Sequence, residues 1–282
     1  MSGMVLSTRL PLVAACLLIT ACGGDENSQP LADGSNPTAL AEGGAWSTPL
    51  VDGTNGSSDS LGSANDGGDT GLRPGVYLTD ITSNTGGSDE AVTWISGSGR
   101  FVTAINSVNS VFGNVEADSE GTRLSGSAAN LFYTDQWNRA EGSLNGIVED
   151  SQSLSYSVSG DYNASAALIR LVDLSNESIS PGILSDSYLS LDQTTTFTIG
   201  SQGGLSGSDS TGCVFDGQIS IQSSNVNVFD VTFDATNCGP TSISSPSERN
   251  GRYNGLGSYD SINFRISFMS ANGTVILPFQ GD

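Results

Sequence analysis

Along the last three quarters of the chain, apolar side chains fall on every second residue within short runs. The runs are broken about every eight to twelve residues by Gly, Ser, Asn or Asp. A period of two puts one face of a strand into a core and the other into water. The plainest run is Ile262-Asn263-Phe264-Arg265-Ile266-Ser267-Phe268. Leu154, Tyr156 and Val158 repeat it, as do Phe229, Val231 and Phe233, and Val92 with Trp94. Further strands are expected over 76–81, 101–105, 112–116, 122–133, 143–148, 188–199, 214–221 and 274–279. This texture predicts an all-β domain over residues 73–282, an antiparallel barrel or sandwich of about 8–10 strands. One stretch departs from the period. Residues 164–174 carry Ala167, Leu168, Leu171 and Leu174 at helical spacing behind Asn163, a residue suited to capping. It reads as a short helix closing one end of the domain, with a fully buried strand as the alternative.

Residues 213–221 and 226–238 read as one hairpin turning near Ser223-Ser224-Asn225. The inward residues are odd-numbered in both arms: Phe215, Ile219 and Ile221 in the first, Phe229, Val231, Phe233 and Ala235 in the second. Cross-strand partners on one face must then sum to an even number, whereas Cys213 and Cys238 sum to an odd one. If these two cysteines are joined, a bulge or a break in pairing is expected near Thr236-Asn237 or Gly212.

The amino end has a different character. One positive charge at Arg9, an apolar run over residues 10–19 and the small pair Thr20-Ala21 precede Cys22. That is the build of a cleavable secretory signal, too short to remain as a membrane-spanning helix. Leu18-Ile19-Thr20-Ala21-Cys22 resembles the lipobox of bacterial lipoproteins. The resemblance implies a signal peptide over 1–21, a lipid on the Cys22 thiol and an acylated new terminus there. Gly23, where a retained inner-membrane lipoprotein would carry Asp, points to the outer membrane, on a face left undecided. Residues 23–72 hold eight acids, no basic residue and one aromatic, Trp46. So little apolar surface cannot offset the entropy of ordering, so 22–72 reads as a lipidated cysteine followed by a flexible linker. Such a tether has a root-mean-square span of roughly 40 Å.

Composition then narrows the chemistry. The chain has nine Lys or Arg, 30 Asp or Glu and no His, with a net charge of −21. All nine basic residues are arginine. So acidic a surface repels nucleic acid. Without histidine or lysine there is no imidazole base, no Schiff base, no phosphate-binding P-loop lysine and no Ser-Lys dyad. With Cys16 lost in the signal and Cys22 lipidated, Cys213 and Cys238 are left as an even pair in an oxidising compartment, which reads as a disulfide. Closing a loop of about 25 residues this way contributes roughly 3 to 4 kcal/mol.

GSDSTGCVFDGQI from Gly207, then NVFDV, the second cysteine and NGRYNGLGSYD resemble the C-terminal part of uncharacterised outer-membrane lipoproteins of Gram-negative bacteria. Over residues 205–268 the resemblance implies a soluble antiparallel barrel with glycines at turns and a disulfide. It implies no activity.

The catalytic candidates are thin. Asp69-Thr70-Gly71 matches the aspartic-protease tripeptide but occurs once, within the linker. Ser206 sits in a GLSGS segment that lacks the second elbow glycine and any histidine. Asp230 and Asp234 are candidate paired carboxylates for glycan hydrolysis, though they read first as solvated charges. Acids along 52–69 could attract calcium without forming a known loop motif. If the barrel were hollow, Trp94, Phe101, Phe132, Tyr156, Phe229, Phe233, Phe264 and Phe268 would line a cup for a small apolar ligand, although core packing is the plainer role for each. The sequence therefore points to a non-enzymatic binding or structural protein that requires no cofactor. Its expected partners are a membrane, reached through the lipid anchor, and an envelope protein or a small apolar ligand. A lipocalin-like carrier and a carboxylate-dependent glycan hydrolase stand as the alternatives.

Overall fold

The computed structural model describes residues 71–83 and 87–282. The expected signal, Cys22, Trp46 and Asp69 lie outside the described residues. Among the described residues sixteen strands run in chain order: β1 Gly75–Ser83, β2 Ser88–Ile95, β3 Arg100–Asn106, β4 Asn109–Ala117, β5 Arg123–Tyr133, β6 Trp137–Val148, β7 Ser153–Gly160, β8 Ala164–Arg170, β9 Ser187–Leu189, β10 Thr195–Ile199, β11 Gly204–Asp209, β12 Val214–Ser220, β13 Phe229–Thr236, β14 Gly251–Asp260, β15 Arg265–Ala271 and β16 Ile276–Gly281. Two single helical turns interrupt them, α1 Val172–Ser175 and α2 Pro246–Arg249.

The expected antiparallel barrel is built twice. Strands β1 to β8 pair in sequence order and β8 returns to β1, with Leu78 opposite Ile169, to close a barrel. Strands β9 to β16 form a second meander of eight. Its outer strands meet where Leu189 and Asp282 exchange backbone hydrogen bonds of 3.1 and 3.3 Å and Leu191 N donates to the Gln280 carbonyl. Closure in this manner leaves no long unpaired edge on either barrel.

Three apolar cores follow from which way the side chains point. Tyr77, Ile81, Phe101, Val111, Phe132, Leu144 and Leu168 fill the first barrel, together with Leu72, one residue before the expected boundary. Phe197, Phe215, Phe229, Phe233, Phe268 and Phe279 fill the second. The third core lies between the barrels. Val76, Trp94, Val102, Phe112 and Leu131 point outward from the first barrel onto Val228, Leu256, Met269, Ala271 and Ile276 of the second. Along this seam Trp94 Nε1 donates to Ser258 Oγ at 2.9 Å, Trp137 Nε1 to Ser244 Oγ at 2.7 Å, and Arg100 pairs with Asp230 at 2.6 Å.

Those bonds also set the orientation. The β2–β3 turn and the start of β3 meet the start of β13 and the β12–β13 loop, whereas the start of β6 meets the loop before α2. The barrels therefore lie side by side with their ends aligned.

Glycines make the tight interiors possible. Phe101 lies opposite Gly113, Tyr156 opposite Gly146, Phe233 opposite Gly217, and Gly257 stands between Phe229 and Phe268. An inward ring thus lies over a neighbour with no side chain, which spares the overpacking that two bulky partners would cause. The glycines of NGRYNGLGSYD, expected at turns, instead lie largely within the ten-residue strand β14. Their place is decided by the closeness of the adjacent strand.

Three local expectations change. Residues 164–170 form strand β8, with Ala166 and Leu168 inward and Ile169 59% exposed, and the helix is limited to α1. The apparent helical spacing arose from Ala167, which faces out, and from Leu171 and Leu174, which pack against the seam. The run 262–268 begins as a turn: Ile262 is 81% and Phe264 71% exposed, and β15 starts at Arg265. Asp260 imposes that turn, its Oδ1 accepting from the amides of Ile262 and Asn263 at 3.0 and 3.1 Å. Finally, 188–199 is two strands, because Asp192 accepts from Ser190 and Thr194 and folds the chain back between them.

Gly257→Val is expected to lower unfolding stability by about 3 kcal/mol or more. Its Cβ would stand 2.4 Å from the Ser267 carbonyl oxygen and 2.5 Å from Phe268 Cβ. Gly204→Ala, with nothing within 4 Å of the added carbon, should leave stability unchanged or raised by about 0.5 kcal/mol. Urea midpoints of the two variants against the parent check both.

Candidate functional site

The eight aromatic residues expected to line a cup do not share one. Trp94 is in the seam. Phe101 and Phe132 are in the first barrel's core and Tyr156 packs against it. Phe229, Phe233 and Phe268 are in the second core. Phe264 is on the surface. The second barrel is occupied by its own rings: Phe197 lies 4.8 Å from Phe215, 4.9 Å from Phe279 and 5.3 Å from Phe268, and Phe233 stacks on Tyr253 at 5.1 Å. Such edge and offset contacts add to the burial of the rings and fill the space a ligand would need.

The first barrel is more polar inside. Thr79, Thr93 and Thr103 are fully buried, with hydroxyl oxygens in a chain 2.7 and 2.8 Å apart. The Tyr156 phenol extends the chain: burial pushes it up to about 12 against an opposing hydrogen bond with Thr103. Toward the end holding the β3–β4, β5–β6 and β7–β8 turns, Asn130 Oδ1 and Nδ2, Asn109 Oδ1 and the Tyr162 hydroxyl are buried without a hydrogen-bond partner. Val111 pairs with Asn130 and Phe132 with Asn109, so the two asparagines are diagonal neighbours on the inner wall. Buried amide atoms in this condition cost free energy unless something satisfies them. The sequence reading missed this cluster. Its one trace was parity: Asn109 keeps step with inward Val111 and Val115, and Asn130 with inward Ala128 and Phe132.

On the outside of the first barrel an open groove crosses β1, β6, β7 and β8. Its walls are Asp80, Asn145, Ile147, Ser157, Ser165 and Ala167. Hydroxyl, amide and small apolar groups on a rigid sheet suit shallow contact with a surface better than enclosure of a small molecule.

The candidate carboxylates have other tasks. Asp230 is not a solvated charge: it faces Arg100 across the seam and accepts from Gln222 Nε2 at 2.8 Å. Asp234 stands on the outer face of β13 between Asp216 and Arg252. Among the described residues no group of three or more His, Cys, Asp or Glu is placed to hold a metal ion. The acids along 52–69 lie outside the described residues.

The Cys213–Cys238 disulfide is present. The ladder of β12 with β13 stays in even register up to Val214 opposite Thr236 and then stops. Beyond it Gly212 (φ 102°) and Asn237 (φ 57°) take left-handed backbone, and that departure brings the sulfurs together. The corner is braced by Asp209, which accepts from the Thr211 hydroxyl at 2.7 Å and the Cys213 amide at 3.0 Å and pairs with Arg249. Burial pushes the Asp209 carboxyl up, but hydrogen bonds from Thr211, from the Arg249 guanidinium and from the Cys213 amide outweigh it and hold it below the usual aspartate range.

No protein-family model matches this sequence, and no curated protein does. Among solved structures the fold is similar to that of Aeromonas veronii immune modulator A, with 10% identity and a TM-score of 0.39, over 75% of this chain and 94% of that one. A likeness that distant carries no functional meaning.

The Asp209 corner predicts a specific acid response. A carboxyl whose value is lowered on folding stabilises the protein above its unfolded value, near 3.9, and loses that contribution as pH falls through the folded value. Asp209→Asn should therefore be less stable than the parent at pH 7, and the gap should close as pH drops below about 4. Urea midpoints of both proteins across that range give the measurement.

Proposed function

We propose that this protein is an envelope lipoprotein, anchored through a lipid on Cys22, whose double barrel is a rigid non-enzymatic body that docks through its outer surface. The lipobox-like Leu18–Cys22 segment supports the anchor. The observation that carries the docking role is the packing: the aromatic core of the second barrel and the apolar seam leave the outer walls and loop ends as the places where a partner can bind. The expected partners are the outer membrane and another envelope protein. A body locked by a buried seam presents a preformed surface, which lowers the ordering cost of association.

The anchor is tested by growth with radiolabelled palmitate. Label should enter the parent protein, whose mature mass should begin at Cys22 with its acyl chains, and should be lost in Cys22→Ser. Label absent from the parent sinks the reading.

A second reading, a small-molecule carrier, is favoured by the buried Asn109, Asn130 and Tyr162 groups in the first barrel. Their donors and acceptors suit a compact ligand with a polar edge more than a wholly apolar one. Protein taken from its native envelope would then show a reproducible added mass by native mass spectrometry, absent from Asn130→Leu. A bare mass in the parent leaves the docking role alone.

A further inference from the structure

We propose that the end of the molecule bearing the β14–β15 turn rests on the lipid surface, with Ile262 and Phe264 inserted among the headgroups. The inference rests on the anchor reading above and adds an orientation to it. Phe264 has φ 54°, a left-handed conformation that bulky residues rarely adopt and that a hairpin ordinarily fills with Gly or Asn. Here the backbone accepts it although the side chain joins no core: Phe264 is 71% exposed, with Ile262 close by at 81%. The turn is stiff. Asp260 holds the amides of Ile262 and Asn263 and, at 2.6 Å, the Asn263 side chain. Two apolar groups are thus presented on a fixed support.

The apolar contact is confined to this tip, because the turns of the first barrel at the same end carry Asp118, Glu120, Glu149 and Asp150, all exposed. Ile147 and Ile169 stand behind those turns on the first barrel, and both are more than half exposed. On the second barrel, Arg265 next to Phe264 faces the Asp282 carboxylate at 3.7 Å, and Asp282 is bonded to Leu189, which is 42% exposed. At the tip itself two apolar side chains on one stiff turn are exposed together, which a solvated turn does not require.

The chain itself indicates what covers it. The described body begins at this same end: Val76 N donates to Ser175 Oγ at 2.9 Å, Asn227 N donates to the Ser175 carbonyl at 3.0 Å, and Tyr259 N donates to Asn227 Oδ1 at 2.9 Å. Tyr259 is the neighbour of Asp260, so three residues, Ser175, Asn227 and Tyr259, connect the first strand to the tip. Seventy residues precede the described body, and their far part carries Cys22. An anchored chain thus enters the body at this end, which places the exposed tip and the leash on the same side of the molecule. The tether makes the second contact intramolecular, so two side chains at headgroup depth suffice where they would fail for a free protein. Glu177, Asp186 and Asp260 surround Tyr259 beside the tip. That acidic rim selects a zwitterionic surface over an anionic one.

The test uses the full lipidated protein reconstituted into phosphatidylcholine vesicles, with tryptophan placed by Phe264→Trp or, at the opposite end, by Val214→Trp. Acyl chains brominated near the headgroup should quench the emission that Phe264→Trp adds to the parent's and leave that of Val214→Trp unchanged. Flotation with the vesicles but equal, unquenched emission at both sites overturns the orientation and leaves the anchor standing. Failure of the parent to float removes the anchor, and the orientation with it. A blue shift of the Phe264→Trp emission without lipid, rising with protein concentration, would assign the tip to a second copy of the chain and also overturn the proposal.

Discussion

The apolar seam between the two barrels is the constraint on which the molecule depends. Each barrel could satisfy its own backbone by closure, yet the first presents Val76, Trp94, Val102, Phe112 and Leu131 on its outside. Exposed, these would form a large hydrophobic patch; covered by Leu256, Met269 and Ile276, they become a third core that fixes one barrel against the other. The polar contacts inside the seam then act as register marks. Trp94 must reach Ser258 and Arg100 must reach Asp230, and a slid or rotated pairing would leave an indole N–H or a guanidinium short of its partner.

Once the barrels are joined, their composition becomes intelligible. A chain with 36 glycines would ordinarily be expected to weaken its strands. Here Gly113, Gly146, Gly217 and Gly257 receive the rings of inward aromatics on the adjacent strands. Entropy lost at the glycine is offset by burial of the ring. The same arrangement explains why eight short strands can enclose so many phenylalanines without a ligand-sized space in the second barrel. The first barrel, with smaller side chains and hydroxyls within, follows a different interior chemistry on the same topology.

A stiff body of this kind leaves its surface and ends open to contact. The carboxylate weighed for chemistry, Asp230, is engaged by Arg100 across the seam, as Asp209 is by Arg249 at the disulfide corner. What the body leaves open is a groove of hydroxyl, amide and small apolar groups on one wall and the exposed pair Ile262 and Phe264 at the end where the chain enters. Both are preformed by closed sheets, and so neither has to be ordered on binding.

The period-two alternation in residues such as Leu154, Tyr156 and Val158, or Phe229, Val231 and Phe233, determined locally that the body is antiparallel β, because the pleat alone sets which side chains share a face. Parity likewise determined that the cysteines could not meet across a flush ladder; of a bulge and a break in pairing, the structure has the break, beside Gly212 and Asn237. Tertiary structure decided what lay beyond reach of the pleat. The continuous runs Phe101 to Ala104 and Ser110 to Phe112 are buried on both faces because a second barrel covers the first, and no single segment carries that information. For the same reason β8 hid behind a helical spacing, and β11 and β14 behind their glycines: the partner that defines each strand is distant in sequence or supplies the side chain the glycine lacks. The polar group inside the first barrel and the exposed ring of Phe264 follow from closure and from a turn imposed by Asp260, which act through space and not along the chain.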